Sequence, residues 1–369
     1  MASWLLGLAA GSPRPCRVAG SMVAEPLPVA SLGFCLFQGV NLNDPETWPV
    51  VETLSAELAS ALSGFLAARP ASLLPTGGGS ESVLATLYAA RELGLGDTVL
   101  AGSGIHASVA KAARLLGLRL RLAPGGGPGG ATGPGGFEAA ARRLRGARVA
   151  AVVATAGTTE TGYVEPLLEA LEAADELGAV LYVDAAWGWI ATPRLLGRLL
   201  AASAPVAVGL DFHKHLTPPP SAVLLVSREE LLEPLRFEAP YMPAGRQLGL
   251  PWTRTAAGLA AAAAALRGLG PGGLEELSRR LMGLASQLAE RLRGSGVEVW
   301  SKPWTPLVAF NAPPGALERL RARGWLLYPT ARPGGLRYVA KWCHCGRDVE
   351  EIVGLVLGGR RGPGDAERC

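Results

Sequence analysis

The chain has 369 residues, of which 49% are apolar, and its 35 basic and 31 acidic side chains give a formal net charge of +4. So large an apolar fraction supports a sizeable core and excludes a disordered chain, and the length predicts more than one domain. The basic residues are scattered, without a run that could grip phosphate backbones, so we expect no nucleic-acid partner.

Residues 1–45 are rich in proline and glycine, and we predict an irregular N-terminal segment there. Over residues 46–268, helical patterns alternate with short apolar runs, which predicts an α/β domain with a mostly parallel sheet. The predicted strands are Thr98–Ala101, Leu118–Ala123, Arg148–Ala154, Ala179–Val183, Pro205–Leu210 and Ala222–Val226. The predicted helices between them are 50–68, 81–91, 108–116 and 166–177.

The character of the chain changes after an Ala-rich helix. Residues 269–369 are predicted to form a smaller α+β domain with an amphipathic helix at 273–293 and strands at 297–300, 307–310 and 336–339. The run 124–136 holds too many glycines and prolines for regular structure, and we predict an exposed loop.

Several classes of protein are disfavoured. Five cysteines in a chain of this length do not suggest a disulfide framework, and Cys343-His344-Cys345 is too tightly spaced for an ordinary zinc site, so we expect no metal. The N-terminus lacks the basic segment of a signal peptide, and the apolar stretch Ala256–Leu269 is shorter than a membrane span. We therefore expect a cytoplasmic protein with no membrane partner.

Two compositional features bear on source and chemistry. The chain has 31 Arg but three Asn and three Gln, a bias that a thermophilic source or GC-rich coding would each produce. Any lysine chemistry must come from one of four residues, Lys111, Lys214, Lys302 and Lys341.

Asp184 follows the apolar run Leu181-Tyr182-Val183, at the end of a predicted strand. Open α/β sheets bind ligands at this edge, and a carboxylate there could keep a pyridinium nitrogen protonated. Taken alone, the aspartate is more simply interpreted as a cap on the next turn.

Lys214 follows another apolar strand and precedes the rigid run Pro218-Pro219-Pro220, a setting that can expose a nucleophilic amine. The alternative is a surface lysine whose stem lies along the protein. The flanking histidines argue against that alternative: we expect His213 to reach a phosphate and His215 to be structural.

Two further segments could hold the same ligand. Gly79 and Ser80 lie in a glycine-rich turn that opens a helix, where backbone N–H groups favour an anion, although glycines also make plain turns. His106 precedes the next helix and could stack on a flat cofactor or simply bond to the helix backbone.

Thr158 lies in a threonine-rich segment, 155–162, after a buried strand. Its hydroxyls could contact a ring oxygen or a carboxylate, or the segment could be an ordinary turn. The stacking histidine, the threonine segment, the aspartate and the lysine each follow a predicted strand, and the phosphate turn opens a predicted helix. Together they indicate pyridoxal 5′-phosphate (PLP).

In this order the motifs resemble those of the group II PLP-dependent decarboxylases of fold type I, most closely the archaeal L-tyrosine/L-aspartate decarboxylases. The resemblance extends from about residue 20 to about residue 337 and implies a PLP-dependent transferase-like fold, a homodimer and a Schiff base on Lys214. Matching segments are Gly78-Gly79-Ser80-Glu81, His106 with Ser108 and Lys111, Gly157-Thr158-Thr159, Asp184-Ala185-Ala186 and His213-Lys214.

Other roles come from the resemblance alone. Tyr241 falls where the family has a tyrosine implicated in proton transfer, and Arg337 is similar to an arginine that is a candidate for the substrate carboxylate. Thr253-Arg254 matches part of a segment that approaches the phosphate in the partner subunit. The chain departs from the family pattern at Val83, Phe212, Trp252 and Ala256.

The resemblance implies an amino-acid decarboxylase that converts L-aspartate to β-alanine or L-tyrosine to tyramine. Lys214 would release the cofactor to the substrate amine, Asp184 would stabilise the carbanion, and Tyr241, His106 or Lys214 would protonate it. A second hypothesis is another PLP lyase, cleaving a Cα–Cβ bond or removing sulfur. A third is a non-catalytic PLP-binding protein, against which the joint presence of Lys214 and Asp184 argues.

Overall fold

A computed structural model describes residues 2–300, 303–331 and 334–359. The helices are α1 (Ala2–Ala10), α2 (Pro28–Leu36), α3 (Val50–Leu66), α4 (Gly79–Glu92), α5 (Ala107–Leu115), α6 (Gly136–Arg143), α7 (Leu167–Glu176), α8 (Pro193–Leu200), α9 (Ala257–Gly294), α10 (Ala316–Ala322) and α11 (Gly346–Leu357). The strands are β1 (Ser72–Thr76), β2 (Thr98–Ala101), β3 (Arg119–Leu122), β4 (Val149–Thr155), β5 (Val180–Asp184), β6 (Val206–Asp211), β7 (Ala222–Val226), β8 (Arg236–Glu238), β9 (Arg246–Leu248), β10 (Leu307–Asn311), β11 (Tyr328–Pro329) and β12 (Gly335–Val339).

The larger part of the described chain is built on one seven-stranded sheet in the order β1-β7-β6-β5-β4-β2-β3. Strands β2 to β6 run parallel, whereas β7 is antiparallel to both of its neighbours. Every residue of β4, β5 and β6 is buried, as continuous apolar runs predict for parallel strands covered on both faces. The predicted fold class is confirmed. The sequence pattern missed β1, an edge strand that contains Pro75.

The prediction of an irregular segment over residues 1–45 is wrong for two stretches, because α1 and α2 lie there. Proline is tolerated in the first turn of a helix, and Pro28 begins α2. Gly33 lets α2 approach α9 closely, since a Cβ at Gly33 would lie 2.9 Å from the carbonyl oxygen of Ala260.

Helix α9 connects the two parts of the chain and breaks at Gly270, whose φ of 64° and following Pro271 interrupt the helical hydrogen bonds. This break lies next to the predicted boundary at 268–269. Beyond it, the described residues form a three-stranded antiparallel sheet in the order β10-β12-β11. The strand predicted at 297–300 is wrong, because only a single bridge from Val299 to Phe310 forms there.

The structure bears on the predictions for the glycine-rich run, the cysteines and membrane-spanning helices. The run 124–136 is not exposed throughout, because Ala131 and Thr132 are buried and Thr132 Oγ1 accepts a hydrogen bond from the Ser103 N–H at 2.8 Å. The cysteines do form a disulfide, between Cys16 and Cys343, which joins the two ends of the chain. In the described residues, no helix has both the length and the apolar character needed to span a bilayer.

Candidate active site

A cavity of about 450 Å³ opens at the carboxyl ends of β4, β5 and β6, beside the start of α4. Open α/β sheets place ligand sites at this edge. The residues that line the cavity are Met22, Gly77, Gly78, Gly79, Ser80, Glu81, His106, Ser108, Thr155, Gly157, Thr159, Asp184, Ala186, Trp187, Asp211, His213 and Lys214.

Lys214 lies in the turn after β6, where its Nζ is 3.3 Å from Asp211 Oδ2. His213 Nε2 is 3.5 Å from the same carboxylate oxygen. Phe212, which lies between Asp211 and His213 in the sequence, is fully buried against Trp189 and anchors the turn. This anchoring explains how adjacent residues of one short turn place both His213 and Lys214 at the cavity.

Asp211 was assigned no role from the sequence, although it ends the apolar run three residues before Lys214. Its side chain is almost fully buried, and among the described atoms its Oδ1 has no hydrogen-bond partner. A buried, unsatisfied carboxylate oxygen costs free energy unless a ligand or a cation compensates it. Asp211 therefore belongs to the polar surface of the cavity.

Asp184 ends β5, and its Oδ1 accepts a hydrogen bond from the N–H of Ala186 at 3.1 Å. Burial raises the pKa of Asp184, the nearby charge of Lys214 lowers it, and the carboxylate of Asp211 raises it. The side chain both caps the following turn and lines the cavity, so the two sequence interpretations are compatible. A cationic N–H group in the cavity would favour its charged form.

His106 precedes α5 and lines the cavity. Its Nδ1 accepts a hydrogen bond from the Ser108 N–H at 3.2 Å and lies 2.9 Å from Ser108 Oγ. Because Nδ1 is the acceptor in this arrangement, we assign the ring proton to Nε2. The backbone bond that was the alternative to stacking is present, and it fixes the ring beside the cavity.

The glycine-rich turn brings Gly79 and Ser80 to the cavity at the N-terminus of α4. A Cβ at Gly79 would lie 3.3 Å from the Cβ of Ala186 and 3.6 Å from the Asp211 carboxylate oxygens. The turn can approach the ends of β5 and β6 this closely because glycine has no side chain.

Arg254 supports this turn from within its own chain. Its guanidinium donates to the carbonyl oxygen of Pro75 and to Asn43 Oδ1 at 2.9 Å, and it lies 3.3 Å from Glu81 Oε1. The other carboxylate oxygen of Glu81 accepts the Gly77 N–H at 2.7 Å. Thr253, next to Arg254, is exposed and outside the cavity lining of the described chain.

The threonine segment contributes Thr155, Gly157 and Thr159 to the lining, and not Thr158, in the described structure. Thr158 is buried, with its hydroxyl 2.9 Å from that of Thr161, and it accepts the Tyr163 N–H at 3.1 Å. Its role in this chain is therefore to hold the segment in shape.

Glu165 is a buried carboxylate that sequence analysis did not single out. It accepts backbone N–H bonds from Gly104 and Thr132 at 3.0 Å and from Thr155 at 2.9 Å. Burial raises its pKa, and these three bonds lower it. The Glu165 side chain thus connects the loop before His106, the glycine-rich run 124–136 and the end of β4. No local sequence pattern predicts that these three segments meet.

Arg337 lies on β12, behind the cavity lining. Its Nε donates to the carbonyl oxygen of Gly20 at 3.0 Å, and its Nη1 donates to that of Thr159 at 2.8 Å. Burial lowers the pKa of Arg337, and Glu160 raises it. These bonds connect the N-terminal segment to the threonine segment.

Two other expectations concern residues that the structure keeps apart from the cavity. Tyr241 is 72% exposed and its ring packs edge-on against Trp252, so one chain, as described, does not bring it to the cavity. Of the other lysines, Lys111 is exposed on α5, Lys341 is buried in the smaller part, and Lys302 lies outside the described residues.

The residues at the cavity fit PLP. Asp211 Oδ1 and Trp187 Nε1 are buried and, within the described residues, lack a hydrogen-bond partner, so a polar ligand in the cavity would satisfy them. A glycine turn at a helix N-terminus suits a phosphate, Asp184 suits a pyridinium nitrogen, and Lys214 suits an aldehyde.

Comparisons with known proteins agree with this geometry. Residues 55–313 match the family model described as the pyridoxal-dependent decarboxylase conserved domain. A probable L-aspartate decarboxylase of Halobacterium salinarum is 36% identical over 319 residues, covering 85% of this chain and 88% of the relative. A probable L-tyrosine/L-aspartate decarboxylase of Methanothrix thermoacetophila is 31% identical, covering 88% of this chain and 85% of the relative.

Solved structures show the same fold. A sphingosine-1-phosphate lyase of Burkholderia pseudomallei superposes with a TM-score of 0.81 at 20% identity, over 97% of this chain and 90% of the other. A glutamate decarboxylase of Lactobacillus brevis gives a TM-score of 0.78 at 16% identity, over 97% and 91%. The resemblance seen in the sequence motifs is confirmed.

Proposed function

The chain belongs to the pyridoxal-dependent decarboxylase family and is a PLP-dependent amino-acid decarboxylase, and from that premise we propose that it converts L-aspartate to β-alanine. L-Tyrosine, converted to tyramine, is the second candidate substrate. The names of the relatives, probable L-aspartate and probable L-tyrosine/L-aspartate decarboxylases, support this choice. The observation that carries the reaction is that Lys214 shares one polar cavity with the buried carboxylates of Asp184 and Asp211.

PLP, when bound, supplies an electron sink for the electron pair left as CO₂ departs. Lys214 would hold the cofactor through its amine, and the amine of the substrate would take its place there. Asp184 would keep a proton on the ring nitrogen, and His106, which lines the cavity, would border the ring. Asp211 holds the Lys214 amine in position from 3.3 Å.

The residues of the glycine-rich turn would bind the phosphate group of the cofactor. The phosphate would be held by the N–H groups of Gly79 and Ser80 and by the Ser80 hydroxyl, because they lie at the N-terminus of α4. The ring of His213 lines the same part of the cavity and would complete this site. Thr158 contributes by fixing the segment that carries Thr159 to the lining.

The substrate side of the site faces Met22 and Trp187. Met22 packs on a cluster that contains Trp187, Leu307 and Val339, and both Met22 and Trp187 line the cavity. This apolar surface favours an aromatic side chain and is the reason to keep L-tyrosine as a candidate. Arg337 serves the site indirectly, since its donors hold the backbone on either side.

A homodimer is part of the proposal, because Tyr241 and Thr253 are assigned to the site but lie at the surface of a single chain. In a C₂ pair the same surface could place both residues at the cavity of the partner, Tyr241 to transfer a proton and Thr253 to reach the phosphate. Sedimentation of the active enzyme tests this. A fully active monomer would contradict the assignment of both residues.

The reaction is tested by incubating the purified enzyme with a panel of L-amino acids and analysing the products by mass spectrometry. We expect CO₂ with β-alanine from L-aspartate, and no product from Lys214→Ala enzyme. Tyramine as the main product would select the second substrate. An aldehyde or sulfide product would instead indicate a different PLP lyase.

A further inference from the structure

Residues 15–25, which we call the N-terminal loop, are bound to residues 341–345, which we call the clasp. The Cys16–Cys343 disulfide joins them across 327 positions of sequence. His344 Nε2 lies 2.7 Å from the carbonyl oxygen of Cys16, and the indole N–H of Trp342 donates to the carbonyl oxygen of Glu25 at 2.5 Å. The clasp thus grips both ends of the loop.

Lys341 fixes the middle of the loop. Its side chain is 1% exposed, and its Nζ donates to the carbonyl oxygens of Pro15 at 2.6 Å, Val18 at 2.7 Å and Val23 at 2.6 Å. An ammonium group has three donors, so these carbonyls use all of them. Because the buried ammonium group of Lys341 donates all its hydrogen bonds to backbone carbonyl oxygens of the loop, it fixes the conformation of the loop.

The loop is also paired with the small sheet. The carbonyl oxygen of Ala19 accepts a hydrogen bond from the Val339 N–H at 2.7 Å, and the Gly20 N–H donates to the carbonyl oxygen of Leu326 at 2.8 Å. A Cβ at Gly20 would lie 2.1 Å from the backbone nitrogen of Tyr328, so only glycine allows this approach. The loop therefore has a fixed position relative to the smaller part of the chain.

That position matters because the next residues form a wall of the active site. Met22 lines the cavity and packs against the cluster of Trp187, Leu307 and Val339. Gly20 is also connected through Arg337 to Thr159 on the cavity lining. A movement of the loop would displace Met22 without disturbing the strand ends that carry Asp184 and Lys214.

We propose that Cys16–Cys343 is a thiol-modification site through which the redox state of the enzyme sets the position of Met22 in the substrate wall. This proposal rests on the decarboxylase function, but it does not depend on which amino acid is the substrate. In the oxidised form the disulfide holds the N-terminal loop against the clasp. In the reduced form the loop is held by hydrogen bonds alone and opens more often.

The modification is an ordinary exchange with a dithiol. One thiolate of the dithiol attacks a sulfur of the Cys16–Cys343 bond, the second thiolate resolves the mixed disulfide, and the enzyme gains two electrons and two protons as two thiols. The dithiol is oxidised to its own disulfide.

The test uses the full-length enzyme loaded with PLP and compares wild type with the Cys16→Ser/Cys343→Ser double variant. Cys35→Ser is the matched control, since Cys35 is a free, exposed cysteine. Cys345 is itself disulfide-bonded, so reduction of wild type alone does not isolate the Cys16 bond. Each protein is therefore measured with and without a dithiol, and alkylation with mass spectrometry reports the state of Cys16 and Cys343.

Two readouts follow the loop and the wall separately. Trypsin cleavage after Arg17, which follows Cys16 in the loop, should accelerate roughly tenfold in reduced wild type and in the double variant, because local opening exposes the backbone. The KM for the amino acid should rise by roughly tenfold as the wall loses its position, with kcat and the visible absorbance of bound PLP unchanged. Cys35→Ser should behave as wild type.

Three outcomes would overturn the proposal. The first is fully reduced wild type that keeps its trypsin resistance and its KM. The second is a double variant that still responds to the dithiol, which would assign the response to Cys345. The third is an enzyme in which Cys16 and Cys343 stay unpaired after oxidation. If the amino-acid panel yields no product, PLP absorbance and its shift on adding an amino acid still report binding, so failure of the function remains distinguishable.

Discussion

Two walls of the cavity are built in different ways. The cofactor wall, made of Asp184, Asp211, His213 and Lys214, consists of residues at the ends of neighbouring parallel strands. The wall that we propose for the substrate includes Met22 of the N-terminal loop, which is bound to a clasp more than 300 residues away in the sequence. Local sequence therefore predicts Asp184, His213 and Lys214 of the first wall, although not Asp211. The second wall forms only when segments from the two ends of the chain come into contact.

The comparison separates the chemistry of the site from its specificity. The strand ends are anchored in the most buried part of the sheet, so the reacting groups hold their geometry. The loop depends on a set of long-range bonds to the smaller part of the chain, and a substitution can remove one of these bonds without touching the sheet. Substitutions in the cofactor wall should thus affect kcat, and substitutions that free the loop should affect KM.

The largest effect should come from Lys214→Ala, which removes the amine that we propose to hold PLP. We expect turnover to fall on the order of 10³-fold or more, as when a covalent catalytic group is lost. Borohydride should fix PLP to Lys214 in wild type and to no lysine in the variant, as read by peptide mass spectrometry. Lys111→Ala, on the surface of α5, is the control. A label on Lys111 or Lys341 would refute the assignment.

Asp184→Asn should have the next largest effect. The amide cannot hold a positive charge on the ring nitrogen, so kcat should fall by roughly 10²-fold, the scale of one lost preorganised charge partner. PLP content, measured by absorbance, should stay near one per chain. Asp211→Asn keeps the ring partner and should cost less. Near-normal turnover in Asp184→Asn would mean that another group protonates the ring.

Arg337→Lys probes the link between the two walls. Lysine cannot reproduce the two bonds of the guanidinium to Gly20 and Thr159, so we expect kcat/KM to fall by roughly tenfold through KM. The melting temperature should fall by a few degrees, because buried carbonyls lose donors. An unchanged melting temperature with strongly weakened substrate affinity would instead indicate direct contact between Arg337 and the substrate.

The smallest effect on turnover should come from mild acid, and it should be confined to the substrate wall. His344 Nδ1 lies 2.9 Å from the Tyr338 hydroxyl and accepts the Lys341 N–H at 3.2 Å, while Nε2 faces Cys16, so the ring is neutral when the clasp is closed. Burial lowers the pKa of His344 from 6.5 to about 4. At a pH between those two values, His344 binds a proton when the loop is open and is neutral when the loop is closed.

Opening of the N-terminal loop should therefore become easier as the pH falls from 6.5 towards 4, by up to roughly tenfold per pH unit. Hydrogen exchange of peptides from residues 15–25, corrected for the intrinsic rate at each pH, measures this. In His344→Gln the slope should disappear, because nothing in the clasp then titrates in this range. A slope that persists in the variant would assign the acid response to another group.

How far the sequence predicted the site depends on the wall. The run that ends at Lys214 and the run that ends at Asp184 each place one functional group just past a buried strand, and both do line the cavity. Thr158 does not line the cavity in the described structure, whereas its neighbours Gly157 and Thr159 do. The hydroxyl that turns inward depends on a local hydrogen bond to Thr161 that alternation of residue types does not encode.

The sequence by itself determined the α/β class, the order of the parallel strands' motifs and the cofactor chemistry, because these depend on local patterns and on the shared edge where parallel strands end. Tertiary structure alone decided that Glu165 joins three loops, that Cys16 meets Cys343 and that Met22 enters the cavity. Each of these contacts joins segments that are distant in sequence. Their geometry follows from how the sheet and the smaller part pack together, which no local periodicity records.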